Sequence, residues 1–205
     1  MPKDKAGTLE KIIPCAKKEF LDKGFERASL RKIAADADMS VAGLYRHFES
    51  KEAMFGALVQ PAADGIKELL LSMRGTFSKL PGDTQKEVIN DYSNDKFPLF
   101  IDYIYEHFDA FKLLTTCADG TPYSNFIHDF VEIDVEYNLK FIEATGNDML
   151  ASERCTPELM HILSSAFYSG IFEIVIHDMT REDADNYIKW LRHFFAAGWN
   201  TILKL

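Results

Sequence analysis

The residues best suited to chemistry lie between Ser29 and Glu52, in SLRKIAADADMSVAGLYRHFESKE, and their types fit contact with a polyanion. Tyr45 and His47 each offer a hydrogen-bonding ring to a phosphate oxygen. Lys51 falls in the first turn of a helix, where the macrodipole disfavours a cation and a docked phosphate would remove the cost. Arg31, near the start of the preceding helix, is placed to grip the same backbone. Val41, Ala42 and Gly43 carry only small side chains, which let a helix approach the floor of a major groove and set methyls against thymine methyls. Arg46 faces either phosphate or solvent. Elsewhere, His128 and Glu132 share a helical face at i, i+4, and His107 and Cys117 stand near further acids. None of these forms a recognisable metal or nucleophile signature, so no catalytic residue, metal or cofactor is expected.

Two short helices and a tight turn must position the first group. Ser29 caps the first, whose Leu30, Ile33, Ala34 and Ala37 make one apolar stripe. Asp38-Met39-Ser40 is the turn. Asp38 has to take the left-handed conformation, Met39 plugs the angle, and Ser40 caps a second helix from Val41 to Phe48 that buries Leu44 and Phe48. A preceding helix, about Thr8 to Lys23, sets Ile12, Ile13, Ala16, Phe20 and Leu21 on one face and stops at Gly24, with Pro14 either kinking it or shifting its start. Before it, Lys3 and Lys5 form a weakly basic arm.

Strand signals are nearly absent, and helical spacing recurs along all 205 residues, so the fold class is all-α. Further helices are expected from residue 51 to about Lys79, bent at Pro61, and from about Thr84, interrupted near Pro98. Another covers 124–145 and ends near Gly146. Thr156-Pro157-Glu158 and Thr180-x-x-Asp183 are start signals for the last two. The formal charge is −9, but residues 1–60 hold 11 basic and 9 acidic side chains while residues 61–205 hold 12 and 23. Local positive charge is what a phosphate surface needs, so the N-terminal segment can meet DNA while the acidic remainder stays off it. Cys15, Cys117 and Cys155 are widely spaced and odd in number, which fits a reducing cytoplasm. No export signal is expected, nor an apolar run of the roughly 18 to 20 residues that span a bilayer.

From Ile12-Ile13 through Gly24-Phe25, Ile33-Ala34, Leu44-Tyr45 and His47-Phe48 to Ser50-Lys51-Glu52, the chain resembles the DNA-binding segment of the tetracycline-repressor (TetR) family. The resemblance covers about residues 9–58, with Asp38 where that family usually has glycine. It implies a helix-turn-helix domain over 1–50, with Ser29, Arg31, Tyr45, His47 and Lys51 on the DNA backbone and Val41, Ala42 and Gly43 nearest the bases. It further implies a helical ligand-sensing and dimerisation domain over 51–205. The expected protein is a cytoplasmic repressor on double-stranded operator DNA, released when a small-molecule inducer widens or fixes the spacing of its two DNA-reading heads.

The last two helices carry apolar stripes wider than one neighbour covers. Pairing with a second copy would cover them, making a homodimer through Phe167, Ile171, Ile174, Trp190, Leu191, Phe194, Phe195 and Trp199. The aromatic middle region reads as an effector pocket, with Phe100, Tyr103, His107, Phe111, His128, Tyr168 and Phe172 as its candidates. A helical adaptor that binds a protein partner through the acidic part is the alternative.

Overall fold

The computed structural model describes residues 5–204, so Lys3 of the expected basic arm lies outside the described residues. Among them are nine helices and no strand: α1 (Lys5–Arg27), α2 (Leu30–Asp36), α3 (Val41–Leu44), α4 (Lys51–Phe77), α5 (Gly82–Glu106), α6 (Phe108–Thr116), α7 (Phe126–Thr145), α8 (Pro157–Ile176) and α9 (Arg181–Leu203). The start and stop signals act where the sequence places them. The Thr156 hydroxyl accepts from the Leu159 amide at 3.2 Å and the Thr180 hydroxyl from the Asp183 amide at 3.2 Å. Gly146 closes α7 at φ 62°, and Gly24 breaks the regular helix of α1 at φ 72°.

The helix through Pro61 continues as expected, the start of α1 is not shifted to Pro14, and the interruption expected near Pro98 does not occur. α1, α4 and α5 run through Pro14, Pro61 and Pro98. A proline removes the amide that would pair with the carbonyl four residues earlier. Here each proline and its residue at i−4 (Glu10, Ala57, Asn94) are exposed, so water can take the place of the lost donor. The break in this stretch comes instead at His107, between α5 and α6.

Contacts divide the chain into two compact units. The first unit runs through Asp64 and adds Phe108–Ser124. Its added piece is tied to α1: Lys17 pairs with Asp109 at 2.5 Å, and the Phe25 amide donates to the Cys117 carbonyl at 2.9 Å. Phe20, Phe25 and Phe55 form the centre of this unit, with ring centroids 5.2–6.0 Å apart.

The second unit comprises Gly65–His107 and Asn125–Leu205. Phe126, Phe130 and Phe172 pack mutually at 5.0–5.9 Å, with Phe100 on Phe130. By length and composition α8 is apolar enough to cross a membrane, contrary to the expectation that no run reaches that length. In the fold it is a core helix that buries Met160, Ser164, Tyr168, Ile171, Phe172, Ile174 and Val175.

A carboxylate sits inside this unit. Asp134 of α7 is 5% exposed and pairs with Arg74 of α4. It accepts from the Ser164 hydroxyl at 2.7 Å, the Asn138 amide at 2.9 Å and the Tyr168 hydroxyl at 3.2 Å. A buried charge is tolerable when it is paired and its lone pairs are filled, as these are. Burial pulls the Arg74 guanidinium down, but Asp134 beside it outweighs this and holds it above its ordinary value. Burial, followed by the adjacent Asp134 charge, pushes the Tyr168 phenol well above its ordinary value.

Two outcomes follow from this packing. A Cβ at Gly82 would lie 2.0 Å from the Ala144 carbonyl oxygen, a backbone atom that cannot swing aside. Gly82→Ala should therefore cost about 1–3 kcal/mol, visible as a fall in Tm of several degrees by differential scanning calorimetry. An unchanged Tm would mean that the two helices do not approach this closely. Because the folded pKa of Tyr168 is raised, its stabilisation is complete below about pH 10 and is lost as pH climbs toward the folded value. Denaturant melts above pH 10 should show stability falling, with a slope shallower by up to about 1.4 kcal/mol per pH unit in Tyr168→Phe. Equal slopes would remove Tyr168 as a source of alkaline lability.

Candidate nucleic-acid interface and ligand cavity

The segment singled out in the sequence folds as two helices joined by a helix-capping turn. Ser29 stands before α2 with its hydroxyl accepting from the Lys32 amide at 3.4 Å, and its own amide donates to the buried Glu19 carboxylate at 3.0 Å. After α2 the Met39 amide reaches back to the Ala34 carbonyl at 2.9 Å and the Asp38 amide to the Ala35 carbonyl at 3.1 Å. That pair of bonds is a Schellman motif, whose pivot must be left-handed; Asp38 supplies it at φ 54°. Ser40 then caps α3, accepting from the Gly43 amide at 3.1 Å.

α3 is shorter than the expected Val41–Phe48 helix. Beyond Leu44 the chain tightens, with Arg46 bonding back to Gly43 and His47 to Leu44 at i−3. Leu44 and Phe48 are buried all the same, which fixes the opposite face. Ser29, Arg31, Ala42 and Tyr45 are exposed, Tyr45 at 52%, while Val41, Gly43 and His47 are half-buried. The His47 Nδ1 atom is buried with no hydrogen-bond partner among the described residues. Lys51 has intramolecular company: its Nζ donates to the Glu26 carbonyl at 3.1 Å and lies 4.9 Å from the centre of the Phe25 ring. Burial pushes its pKa down. Seating the ammonium on a backbone carbonyl offsets its position in the first turn of α4 without any phosphate, an explanation the sequence did not offer. Ser50 caps that helix through the Ala53 amide at 3.0 Å.

The second unit holds a cavity of about 580 Å³ bounded by α4, α5, α7, α8 and α9. Of the residues expected around a pocket, Phe100 and Tyr168 line it. The others do not. Phe111 belongs to the core of the first unit, fully buried. Phe172 is core against Phe126 and Phe130, and Tyr103, outside the cavity lining, lies against His107 with ring centroids 4.5 Å apart and planes tilted by 49°. His128 is exposed beside Glu132 and His161, each histidine 3.6 Å from the same Glu132 oxygen. The aromatic list was too broad because buried rings fill cores more often than they line voids.

Sequence reasoning missed Arg74, Asp134, Asn138 and Arg192, which line the cavity. Asp134 was detectable: it sits on the apolar stripe of α7, four residues after Phe130 and seven before Phe141. Arg192 gives no such sign, because its partners Asn94 and Ser93 are almost a hundred residues away in sequence.

The expected pairing face divides likewise. Ile171 and Ile174 are fully buried in their own unit and have no surface to offer a partner. Trp190 and Phe194 stand out at 63% and 74% exposure, and Phe167, Leu191, Phe195 and Trp199 are half-buried.

Two comparisons bear on these features. The model of the family described as bacterial regulatory proteins, tetR family, matches residues 12–58. A protein of Mesorhizobium loti, provisionally assigned to the TetR-family transcriptional regulators, has a similar fold, with a TM-score of 0.52 at 16% identity over 95% of this chain and 98% of that one. The matched residues are those that build the capped turn and the exposed Arg31–Tyr45 face, so over 12–58 the chain is similar to the bacterial regulatory proteins of the tetR family.

Proposed function

We propose that the protein is a cytoplasmic, dimeric repressor that binds double-stranded operator DNA through α2 and α3 and is released by a small molecule held in the cavity of its second unit. It is read as a regulator and not an enzyme. Residues 1–50 carry the DNA contacts in this reading, and the sensing and pairing surfaces lie within 51–205.

Gly43 carries the DNA reading. Its φ is not in the left-handed region, and a Cβ built on it would meet nothing nearer than the Ser40 hydroxyl at 3.5 Å and Met39 at 3.6 Å. Nothing inside the domain requires glycine there, and glycine costs a helix up to about 1 kcal/mol relative to alanine. Close approach to a groove supplies the missing reason. Ser29, Arg31, Tyr45 and His47 flank that point and position the domain on phosphates, with Val41 and Ala42 beside Gly43 at the bases. With His47 Nδ1 buried and unpaired, the neutral ring is better served by a proton on Nε2, the atom left to donate to a phosphate. Lys51 contributes charge from its seat on Glu26 and has further protons to donate. Pairing through α8 and α9 is supported by the exposure of Trp190 and Phe194, with Phe167, Leu191, Phe195 and Trp199 alongside.

Fluorescence anisotropy on a DNA fragment from beside the protein's own gene, titrated in salt, tests the reading. The expected result is saturable binding at two protomers or a multiple per site, with affinity falling steeply as salt rises. Arg31→Ala and Tyr45→Ala should each weaken it, and the arginine variant should flatten the salt slope by about 1. Wild-type binding no tighter than to random DNA, with both variants unchanged on either, would refute the interface. Gly43→Ala separates folding from recognition: it should keep the stability or raise it by up to about 1 kcal/mol, read as an equal or higher Tm, while weakening the specific complex roughly fivefold or more. A variant that binds DNA as the wild type does would leave Gly43 without a role at the groove.

A further inference from the structure

Charge is distributed unusually around the cavity. Residues 61–205 carry 12 basic and 23 acidic side chains, yet the cavity is lined by five basic residues (Arg74, Lys96, Arg181, Lys189, Arg192) and two acidic ones (Asp134, Asp185). Both acids are spent on two of the cations: Asp134 on Arg74 and Asp185 on Arg181 at 2.9 Å. Arg192 is different. It is half-buried, and among the described residues no carboxylate lies within ion-pair distance of it. Its Nη2 donates to the Asn94 side-chain oxygen at 2.8 Å and the Ser93 hydroxyl at 3.4 Å, and its guanidinium lies 4.5 Å from the centre of the Phe97 ring. Neutral acceptors and a ring face hold the group in place without neutralising it. Burial pushes its pKa down, the mark of a cation losing water without gaining an anion.

A desolvated cation held by neutral groups at the wall of an apolar cavity is complementary to an anion that the protein does not itself supply. The walls around it, among them Phe100, Phe141, Met160 and Trp199, suit an aromatic or aliphatic body. We propose that the cavity takes an amphipathic carboxylic acid, its carboxylate on Arg192 and its apolar part against those side chains. The planar guanidinium matches a planar carboxylate through parallel N–H donors, which a lysine at this position would not provide. This rests on the reading of the cavity as the effector site and narrows the class of effector to organic acids.

Isothermal titration calorimetry on the full chain with three probes of equal body, 2-naphthoate, 2-naphthylmethanol and 2-naphthylmethylammonium, tests head-group charge directly. The acid should bind once per protomer, at least about tenfold tighter than the alcohol, and the ammonium should be weakest. In Arg192→Gln, which keeps a polar side chain of related length, the acid should fall to the affinity of the alcohol while the alcohol is unchanged. The wild-type probe series does not depend on how well that variant folds. If alcohol and acid bind the wild type equally, or the acid's advantage survives in a folded Arg192→Gln, the organic-acid assignment is wrong and the cavity as a ligand site stands. If none of the three binds, the cavity reading and the assignment fall together.

Discussion

Asp134 is the point on which the second unit turns. One buried carboxylate draws donors from three helices: Arg74 from α4, Asn138 from its own α7, and Ser164 and Tyr168 from α8. A hydrophobic contact slides at little cost, but a buried ion with its lone pairs filled permits one arrangement and penalises others heavily. The helices on one side of the cavity are thus fixed by directional bonds. This allows about 580 Å³ to stay open next to them without relying on side-chain packing to hold the walls apart.

In the first unit the governing constraint is the angle between α2 and α3, and it is set by local backbone bonding. The two Schellman bonds, the left-handed Asp38 and the Ser40 cap act within eleven residues, from Ala34 to Leu44. Leu44 and Phe48 anchor the second arm in the core. The face left outside is small and nearly uncharged at Val41, Ala42 and Gly43, with Arg31 and Tyr45 exposed around it. Specificity for a base sequence would then come from shape and methyl contacts more than from charged fingers.

What could be read in the sequence depended on the range of the interactions. Caps and stops act over three or four residues, so Ser29, Ser40, Thr156, Thr180, Gly24 and Gly146 were all legible. Pro98 was over-read as an interruption: a proline's effect depends on whether the freed carbonyl reaches water, and exposure at i−4 is a tertiary fact. The cavity was the least legible part. Phe100 and Phe172 are both buried phenylalanines on helices, and only the packing of distant segments puts the first beside a void and the second in solid core. The same holds for α6, whose place beside α1 depends on contacts such as Lys17–Asp109 that span 92 residues.

Net charge is a poor guide to this protein's partners, and the reason is physical. A chain at −9 ought to repel DNA and organic anions alike if charge acted as a uniform field. At physiological ionic strength, however, an exposed charge is screened over roughly 8 Å, so each surface responds to its own neighbours. The first 60 residues come to +2 and present an exposed arginine beside small residues. Inside the acidic remainder, the cavity wall is cationic and partly dry, conditions under which a single unpaired guanidinium counts for more than many solvated carboxylates outside. Acidic residues over the remainder of the chain and cations at the cavity wall are therefore compatible, and in the proposed reading the same local rule lets the first unit meet DNA.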